Sequence, residues 1–233
     1  MKKFLSVILC IIIVVCFAAC SNTTQKENAT TPVNTQSASS NNTNSKTENN
    51  NSSNGKALVV YFTAAENSDV DLVSSASVVT VNGETLGRVQ ALAQMIQNET
   101  NADIFSIQTS VQYPGDDGKL IEYAQKEQNE NARPEITSHI DNLDDYDTIF
   151  IGYPIWWYDL PQIMYSFFDE YDFSGKTIVP FCVHNGSRFT GTIETIQELE
   201  PTATVITDGF TVSERDVSDA ADDVAEWADK LGY

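Results

Sequence analysis

Residues 149–161 constrain the fold more than any other stretch, because they predict a strand, a loop and a helix in immediate succession. An apolar run of strand length ends in Gly152 and Pro154, tryptophans follow at positions 156 and 157, and a proline at position 161 suits the first turn of a helix. In an open α/β sheet, ligands bind in the crevice beyond the carboxyl ends of the strands. The stretch therefore predicts a site for a flat ligand, with aromatic rings held over that crevice.

Strand-length apolar runs alternate with amphipathic stretches along the rest of the chain. The predicted strands cover residues 57–62, 102–109, 146–153, 177–183 and 203–206. The predicted helices cover residues 86–97, 119–129, a stretch that starts at Asp159 or Leu160, 191–199 and 217–231. Five strands alternating with five helices predict an α/β fold, a doubly wound five-stranded parallel sheet with helices on both faces.

Apolar residues at helical spacing predict which helix faces are buried. The predicted buried residues are Val89, Leu92, Ala93 and Ile96, then Leu120, Ile121 and Ala124, then Ile163, Met164, Phe167 and Phe168, and finally Ala220, Val224, Trp227 and Leu231. The connection at residues 64–84 is much longer than the usual two to six residues between a strand and a helix. We expect it to be functional or to carry small structure of its own.

The N-terminal quarter predicts an exported lipoprotein. Residues 1–19 have two lysines, an uncharged apolar run and small residues, which is the layout of a secretory signal. Residues 17–20 resemble a bacterial lipobox, which implies acylation of Cys20; the alternative is an ordinary signal peptide with an incidental cysteine. Residues 20–55, rich in Asn, Ser and Thr, predict a disordered tether, and residues 56–233 predict the folded domain. The predicted location is the extracytoplasmic face of the cell membrane, through a lipid anchor.

The folded domain is strongly acidic. Residues 56–233 contain nine Lys and Arg against 31 Asp and Glu, a formal charge of −22. This charge argues against nucleic acid as a partner and against binding flat on anionic lipid. A phosphate site here would have to rely on local backbone donors. Cys182 lies inside an apolar run, which favours a buried, inert thiol over a catalytic one. We find no metal-ligand pattern in the sequence.

Residues 57–233 resemble the flavodoxin superfamily, in the subgroup with an insertion after the first strand. The segments that carry the resemblance are residues 59–63, 87–89, 131–134, 146–154 with Trp156 and Trp157, and 172–177. The resemblance implies a flavodoxin-like fold that binds flavin mononucleotide (FMN) without a covalent bond.

The resemblance also implies where the phosphate binds. Thr63 stands at the first hydroxyl position of the family's phosphate loop, and Gly87, Arg88 and Val89 stand where that loop enters the first helix. Thr85 is a candidate for a further hydroxyl contact. Exposed N–H groups and the dipole at a helix start favour a dianion. The alternative is that Gly87 is a packing glycine and Arg88 a solvated helix residue.

Two further loops correspond to the family's flavin-ring contacts. We expect Trp156 at the ring with Trp157 packed beneath it, although the reverse arrangement stays open. His184 is either a proton donor or a structural residue. The residues predicted to contact FMN are Thr63, Ala64, Ala65, Asn67, Thr85, Gly87, Arg88, Val89, Pro154, Ile155, Trp156, Trp157, Tyr158, His184, Asn185, Gly186, Ser187 and Gly191. Residues 154–159 contain no glycine, so we expect the backbone there to avoid positive φ. In the family, a flexible peptide in this loop stabilises the one-electron form of the flavin, so its absence implies a preference for two-electron transfer.

Three functions are consistent with this sequence. The first is a membrane-tethered FMN-binding protein that transfers electrons outside the cytoplasm, to a protein partner or a small electron acceptor that the sequence does not identify. The second is an FMN-dependent NAD(P)H:quinone or nitro-compound reductase. The third is a binding module without flavin, which the altered phosphate loop favours. Fold alone does not choose among them.

Overall fold

The structure, a computed structural model, describes residues 55–233. The predicted signal peptide, the predicted acylation site at Cys20 and the tether as far as residue 54 lie outside the described residues.

Eight strands and five α-helices make up the described chain. The strands are β1 (Ala57–Tyr61), β2 (Val78–Val81), β3 (Glu84–Gly87), β4 (Asp103–Ser106), β5 (Thr148–Pro154), β6 (Thr177–His184), β7 (Thr204–Val205) and β8 (Phe210–Ser213). The helices are α1 (Arg88–Thr100), α2 (Asp117–Glu130), α3 (Gln162–Glu170), α4 (Thr192–Leu199) and α5 (Ala221–Leu231). The predicted α/β alternation is confirmed.

The main sheet is parallel throughout and has the order β4-β1-β5-β6, with its fifth position shared by β7 and β8. The predicted fifth strand at residues 203–206 is therefore incomplete, because β8 continues the pairing with β6 after a break. The break lies near Gly209, where an added Cβ would come within 2.4 Å of the Pro180 carbonyl oxygen. Only glycine fits so close to the neighbouring strand.

Helices cover both faces of the sheet. On one face, Val59, Phe150 and Phe181 pack with residues of α1 and α5. On the other, Val60 and Ile151 pack with residues of α2, α3 and α4. Adjacent residues of a strand point to opposite faces, so strands buried on both sides read as continuous apolar runs.

Most of the predicted buried residues are confirmed, with two corrections. The confirmed residues are Val89, Leu92, Ala93, Ile96, Leu120, Ala124, Ile163, Met164, Phe167, Phe168, Ala220, Val224 and Trp227. Ile121 is instead 55% exposed, and Leu231 is only partly buried. The helix starts also differ from the predicted ones. Helix α1 begins at Arg88 because residues 86 and 87 belong to β3, and α3 begins at Gln162 because Asp159 belongs to a tight turn. Helix α5 begins at Ala221 after a short 3-10 turn, and the starts of α2 and α4 differ by two residues and one residue.

The long connection after β1 folds into small structure of its own, as expected. Two 3-10 turns precede the antiparallel hairpin β2–β3, whose tip is Asn82 and Gly83. Both tip residues have positive φ, 52° and 85°, as in the hairpin turns that favour the Asn-Gly dipeptide. The hairpin leads directly into α1, where the carbonyl oxygen of Ser77 accepts a hydrogen bond of 2.8 Å from the Arg88 amide.

Candidate functional site

A cavity of about 450 Å³ opens at the carboxyl ends of the central strands. Strand β4 pairs with one side of β1 and strand β5 with the other, so the direction in which the chain crosses the sheet reverses at β1. Open α/β sheets bind ligands at such a reversal. The lining residues are Thr63, Ala64, Ser77, Arg88, Val89, Asp117, Leu120, Ile121, Ala124, Pro154, Ile155, Trp156, Trp157, Tyr158, Val183, His184, Asn185, Ser187 and Glu214. The volume is within the range of small-molecule sites, roughly 300–1,000 Å³.

The structure brings twelve of the eighteen predicted contact residues to this cavity. They are Thr63, Ala64, Arg88, Val89, Pro154, Ile155, Trp156, Trp157, Tyr158, His184, Asn185 and Ser187. The six that do not line it are Ala65, Asn67, Thr85, Gly87, Gly186 and Gly191.

Asn67 does not line the cavity, and its side chain forms hydrogen bonds to backbone groups instead. Its side-chain nitrogen donates to the carbonyl oxygens of Thr63 and Ile107, at 3.1 and 3.2 Å, and its side-chain oxygen accepts from the Thr109 amide at 3.0 Å. The residue is buried, so its amide group holds the loop after β1 against the loop after β4. The contact between Asn67 and a ligand stays a prediction, and the structure assigns this side chain a structural role.

The other five residues outside the cavity also have structural places. Ala65 is buried in the 3-10 turn after β1, and Thr85 pairs with Thr80 inside the hairpin. Gly186 has a φ of 90°, which suits glycine, and Gly191 precedes the first turn of α4.

Gly87 packs against Thr63. A Cβ at position 87 would come within 2.5 Å of the Thr63 hydroxyl oxygen, so a larger residue would push the two loops apart. The alternative of a packing glycine is correct for Gly87. This contact still serves the site, because it holds the start of α1 beside the end of β1.

The amides at the start of α1 are only partly available to a ligand. The Gly87 amide donates to Gln90 Oε1 at 2.9 Å, and the Arg88 amide donates to the Ser77 carbonyl oxygen. The amides of Val89 and Gln90 lie in the first turn, where an α-helix leaves N–H groups without partners inside the helix. Fewer backbone N–H groups at the start of α1 are therefore available to a phosphate than the sequence predicted.

Arg88 is not a solvated helix residue. Its Nη1 atom lies 3.2 Å from Glu214 Oε2, and its side chain is 26% exposed. Among the described residues that line the cavity, Arg88 is the only Lys or Arg. The cavity thus has one cationic end, and that cation already has a carboxylate partner.

The aromatic residues after β5 form a tight turn with unusual backbone geometry. The amide and carbonyl groups of Trp156 and Asp159 exchange two hydrogen bonds of 3.0 Å. Between them, Trp157 and Tyr158 have φ of 49° and 64°. The expectation that this loop avoids positive φ is wrong. Left-handed geometry costs about 1–2 kcal/mol per non-glycine residue, so it has to be imposed by neighbouring contacts.

Three hydrogen bonds impose this geometry from outside the turn. Trp157 Nε1 donates to the Ile121 carbonyl oxygen at 2.9 Å, and Gln128 Nε2 donates to the Trp157 carbonyl oxygen at 3.4 Å. The Thr190 hydroxyl donates to the Tyr158 carbonyl oxygen at 2.8 Å. Helix α2 and the loop after β6 therefore hold the turn between them.

The two tryptophans differ in depth, and not as expected. Trp156 packs edge-on against Phe62 and Tyr113, with ring centroids 5.6 and 5.4 Å apart. Trp157 is 40% exposed and Tyr158 is 73% exposed, at the cavity rim. The prediction that Trp157 packs beneath Trp156 is wrong, because Trp156 is the residue anchored to the core.

His184 is held by its own loop. Its Nδ1 atom accepts a hydrogen bond of 2.9 Å from the Gly186 amide, so the ring proton of the neutral form lies on Nε2. Burial, together with the nearby Arg188, lowers the pKa of His184 below its ordinary value. A neutral imidazole is a weak proton donor at pH 7, which favours the structural interpretation.

Seven cavity residues were missing from the sequence prediction. They are Ser77, Asp117, Leu120, Ile121, Ala124, Val183 and Glu214. The Asn-Gly pair at positions 82–83 signals a hairpin and could have indicated that the insertion turns back towards the site. Glu214 was missed with β8, because it directly follows that strand.

Cys182 does not line the cavity. Cys182 is buried, and burial raises the pKa of its thiol to about 12, which confirms the prediction of an inert thiol.

Within residues 55–233, no group of three or more His, Cys, Asp and Glu side chains is placed to hold a metal ion. No helix in the same range combines the length and the apolar character that a membrane span needs.

Comparison with solved structures shows that the fold is a known one. The chain is 26% identical to a candidate flavoprotein from Bacteroides eggerthii, covering 74% of this chain and 99% of that one, with a TM-score of 0.55. A candidate flavoprotein from Bacteroides uniformis gives 24% identity, 75% and 98% coverage, and a TM-score of 0.56. A flavoprotein in complex with FMN from Lactobacillus acidophilus gives 19% identity, 71% and 97% coverage, and a TM-score of 0.50.

No curated protein matches the sequence significantly. The family model described as Flavodoxin matches residues 76–231, which is more than half of the chain. The match includes the end of the insertion, the start of α1, and the two loops that carry the tryptophans and His184. The chain belongs to the flavodoxin family.

Proposed function

We propose that this protein binds FMN non-covalently and transfers electrons outside the cytoplasm, tethered to the cell membrane by a lipid on Cys20. The observation that carries the proposal is the cavity at the strand ends. Its lining combines three aromatic residues, Trp156, Trp157 and Tyr158, with one cation, Arg88. Bound FMN would supply the redox chemistry, and the protein would supply binding, orientation and electrostatics.

The aromatic side of the cavity fits a flat flavin ring. Trp156, Trp157 and Tyr158 would hold the ring, and each offset or edge-on aromatic pair contributes about 0.5–1.5 kcal/mol beyond the burial of surface. The turn that carries Trp157 and Tyr158 is tied to α2 and to Thr190, so its geometry is preorganised. Asn185 and Ser187 also line the cavity and would meet polar atoms at the edge of the ring.

The lining of the cavity offers a phosphate fewer contacts than it offers a flat ring. Thr63, Arg88 and the first-turn amide of Val89 would hold it. Asp117 and Glu214 also line the cavity, and the domain carries a formal charge of −22, so acidic groups oppose a dianion. We expect FMN binding to depend on these few local donors rather than on the field of the whole domain.

The second candidate is a binding module without flavin. The salt bridge between Arg88 and Glu214 favours it, because the cation that a phosphate needs is already paired. An FMN-dependent reductase that uses NAD(P)H remains the other alternative; soluble NAD(P)H is a cytoplasmic reductant, and the proposed export argues against this activity.

The test is the colour and the flavin content of the purified domain. Residues 55–233 contain the buried residues of both hydrophobic clusters, so we expect this part of the chain to fold when it is produced alone. After incubation with FMN and removal of free ligand, we expect a yellow protein with about one FMN per chain and little NADPH oxidation with or without a quinone. A colourless protein would favour the flavin-free module, and rapid quinone-dependent NADPH oxidation would favour the reductase.

A further inference from the structure

The salt bridge between Arg88 and Glu214 lies in the lining of the cavity, at the start of α1. Arg88 is the first residue of α1, and Glu214 is the first residue after β8. Both side chains line the cavity, and they are 26% and 28% exposed. A charged pair this far removed from water interacts more strongly than an exposed pair.

The backbones on both sides of this pair are fixed. The Glu214 amide donates to the His184 carbonyl oxygen at 2.8 Å, which extends the pairing of β6 with β8. The Arg88 amide donates to the Ser77 carbonyl oxygen at the same distance. Any rearrangement at this end of the cavity is therefore made by the two side chains, which can separate without breaking the sheet or the helix.

A ligand phosphate and the Glu214 carboxylate need the same partner. A guanidinium group binds phosphate oxygens in paired, charge-assisted hydrogen bonds, so a phosphate would compete with Glu214 for Arg88. The displaced carboxylate would then lie near a dianion in a site with limited access to water, where like charges repel more strongly than in bulk water. An uncharged ligand that ends in a hydroxyl group does not meet this repulsion.

We propose that Glu214 determines the choice between FMN and riboflavin, by competing with the FMN phosphate for Arg88. The proposal rests on the proposed flavin binding and names the residue that sets the preference at the phosphate end of that site. Riboflavin ends in a hydroxyl group, which can donate a hydrogen bond to the Glu214 carboxylate. Glu214 therefore lowers the affinity for FMN and leaves the affinity for riboflavin nearly unchanged.

The test compares FMN and riboflavin titrations, followed by flavin fluorescence, in wild-type residues 55–233 and in Glu214→Gln. Glutamine keeps the size of the side chain and its ability to accept a hydrogen bond from Arg88, but it removes the charge. We expect FMN to bind about tenfold more tightly, which corresponds to about 1.4 kcal/mol, while riboflavin changes by less than about twofold. Glu198→Gln is the matched control, because Glu198 is exposed on α4 and its substitution changes the net charge equally.

Each outcome separates this inference from the proposed function. Unchanged or weaker FMN binding in Glu214→Gln, with wild type binding FMN, would overturn the inference alone, and weaker binding would mean that Glu214 positions Arg88 for the phosphate. An equal gain in Glu198→Gln would assign the effect to net charge and also overturn it. Absence of binding of both flavins to wild type and to Glu214→Gln would overturn the inference together with the proposed function. FMN binding that appears only in Glu214→Gln would support it.

Discussion

The indole Nε1–H of Trp157 donates a hydrogen bond to the Ile121 carbonyl oxygen, 2.9 Å away, and joins the turn after β5 to helix α2. Gln128, two helical turns further along α2, donates to the carbonyl oxygen of the same tryptophan. Hydrogen bonds therefore join the turn that contains Trp157 to the helix α2, which also lines the cavity. This connection explains how two bulky residues, Trp157 and Tyr158, are kept at positive φ.

Replacing Tyr158 with glycine should stabilise the domain by about 0.5–1 kcal/mol. Glycine removes a left-handed strain of about 1–2 kcal/mol, and part of the gain is lost to the greater freedom of glycine in the unfolded chain. Tyr158 is 73% exposed, so little packing is lost. Urea unfolding measures the change. Tyr158→Ala is the control, because it removes the same ring but keeps the strained Cβ; equal stability of the two variants would contradict the explanation.

Glu127 should make the stability of the domain depend on pH. This carboxyl group is buried beside Tyr113, and burial raises its pKa to about 7 from a usual value near 4.5. The folded state therefore binds more protons than the unfolded state between these values. Linkage requires stability to fall as the pH rises through this window.

Glu127→Gln should remove the part of this dependence that Glu127 causes, because glutamine stays neutral; Glu200, whose pKa burial also raises to about 7, keeps its own part. We expect its stability to match wild type near pH 4 and to exceed it at pH 8, by on the order of 3 kcal/mol at most. Urea unfolding at both pH values measures the difference, with Glu122→Gln on the exposed face of α2 as the control. The same gain at both pH values would show that Glu127 is charged throughout the range.

Cys20→Ser should release the protein from the membrane without changing the folded domain. The proposed lipid is attached to Cys20, which lies outside the described fold. Cell fractionation followed by immunoblotting locates the protein, and Cys16→Ser, which changes a cysteine inside the predicted signal peptide, should leave it in the membrane fraction. If Cys20→Ser stayed in that fraction, the lipoprotein proposal would be wrong.

The order of strands and helices could be predicted from the sequence because the apolar runs of β1, β5 and β6 are buried on both faces. Such runs carry a strong local signal. The fifth strand could be predicted only in part, because its pairing with β6 stops after Val205 and resumes at Phe210. Between them, Gly209 approaches Pro180, a residue distant in sequence. Local patterns contain no information on such contacts.

The candidate site was predictable where it follows directly from strand ends, as with Thr63, Trp156 and His184. It was not predictable where long-range contacts decide the geometry. The positive φ of Trp157 depends on Ile121 and Gln128, and the pairing of Arg88 depends on Glu214, 126 positions away. The intrinsic preference of Trp157 is for negative φ, and no local pattern indicates the partner of Arg88; tertiary contacts determined both results.

A fluorescence titration of FMN with residues 55–233 shows directly whether this domain binds the flavin. We predict saturable quenching of the flavin at about one FMN per chain, because aromatic side chains line the ring side of the cavity. Trp156→Ala and Trp157→Ala should each bind FMN more weakly than Tyr146→Ala, whose ring precedes β5 at the opposite end of the sheet. Flavin fluorescence that rises linearly with added FMN, with no quenching at any protein concentration, would contradict the account.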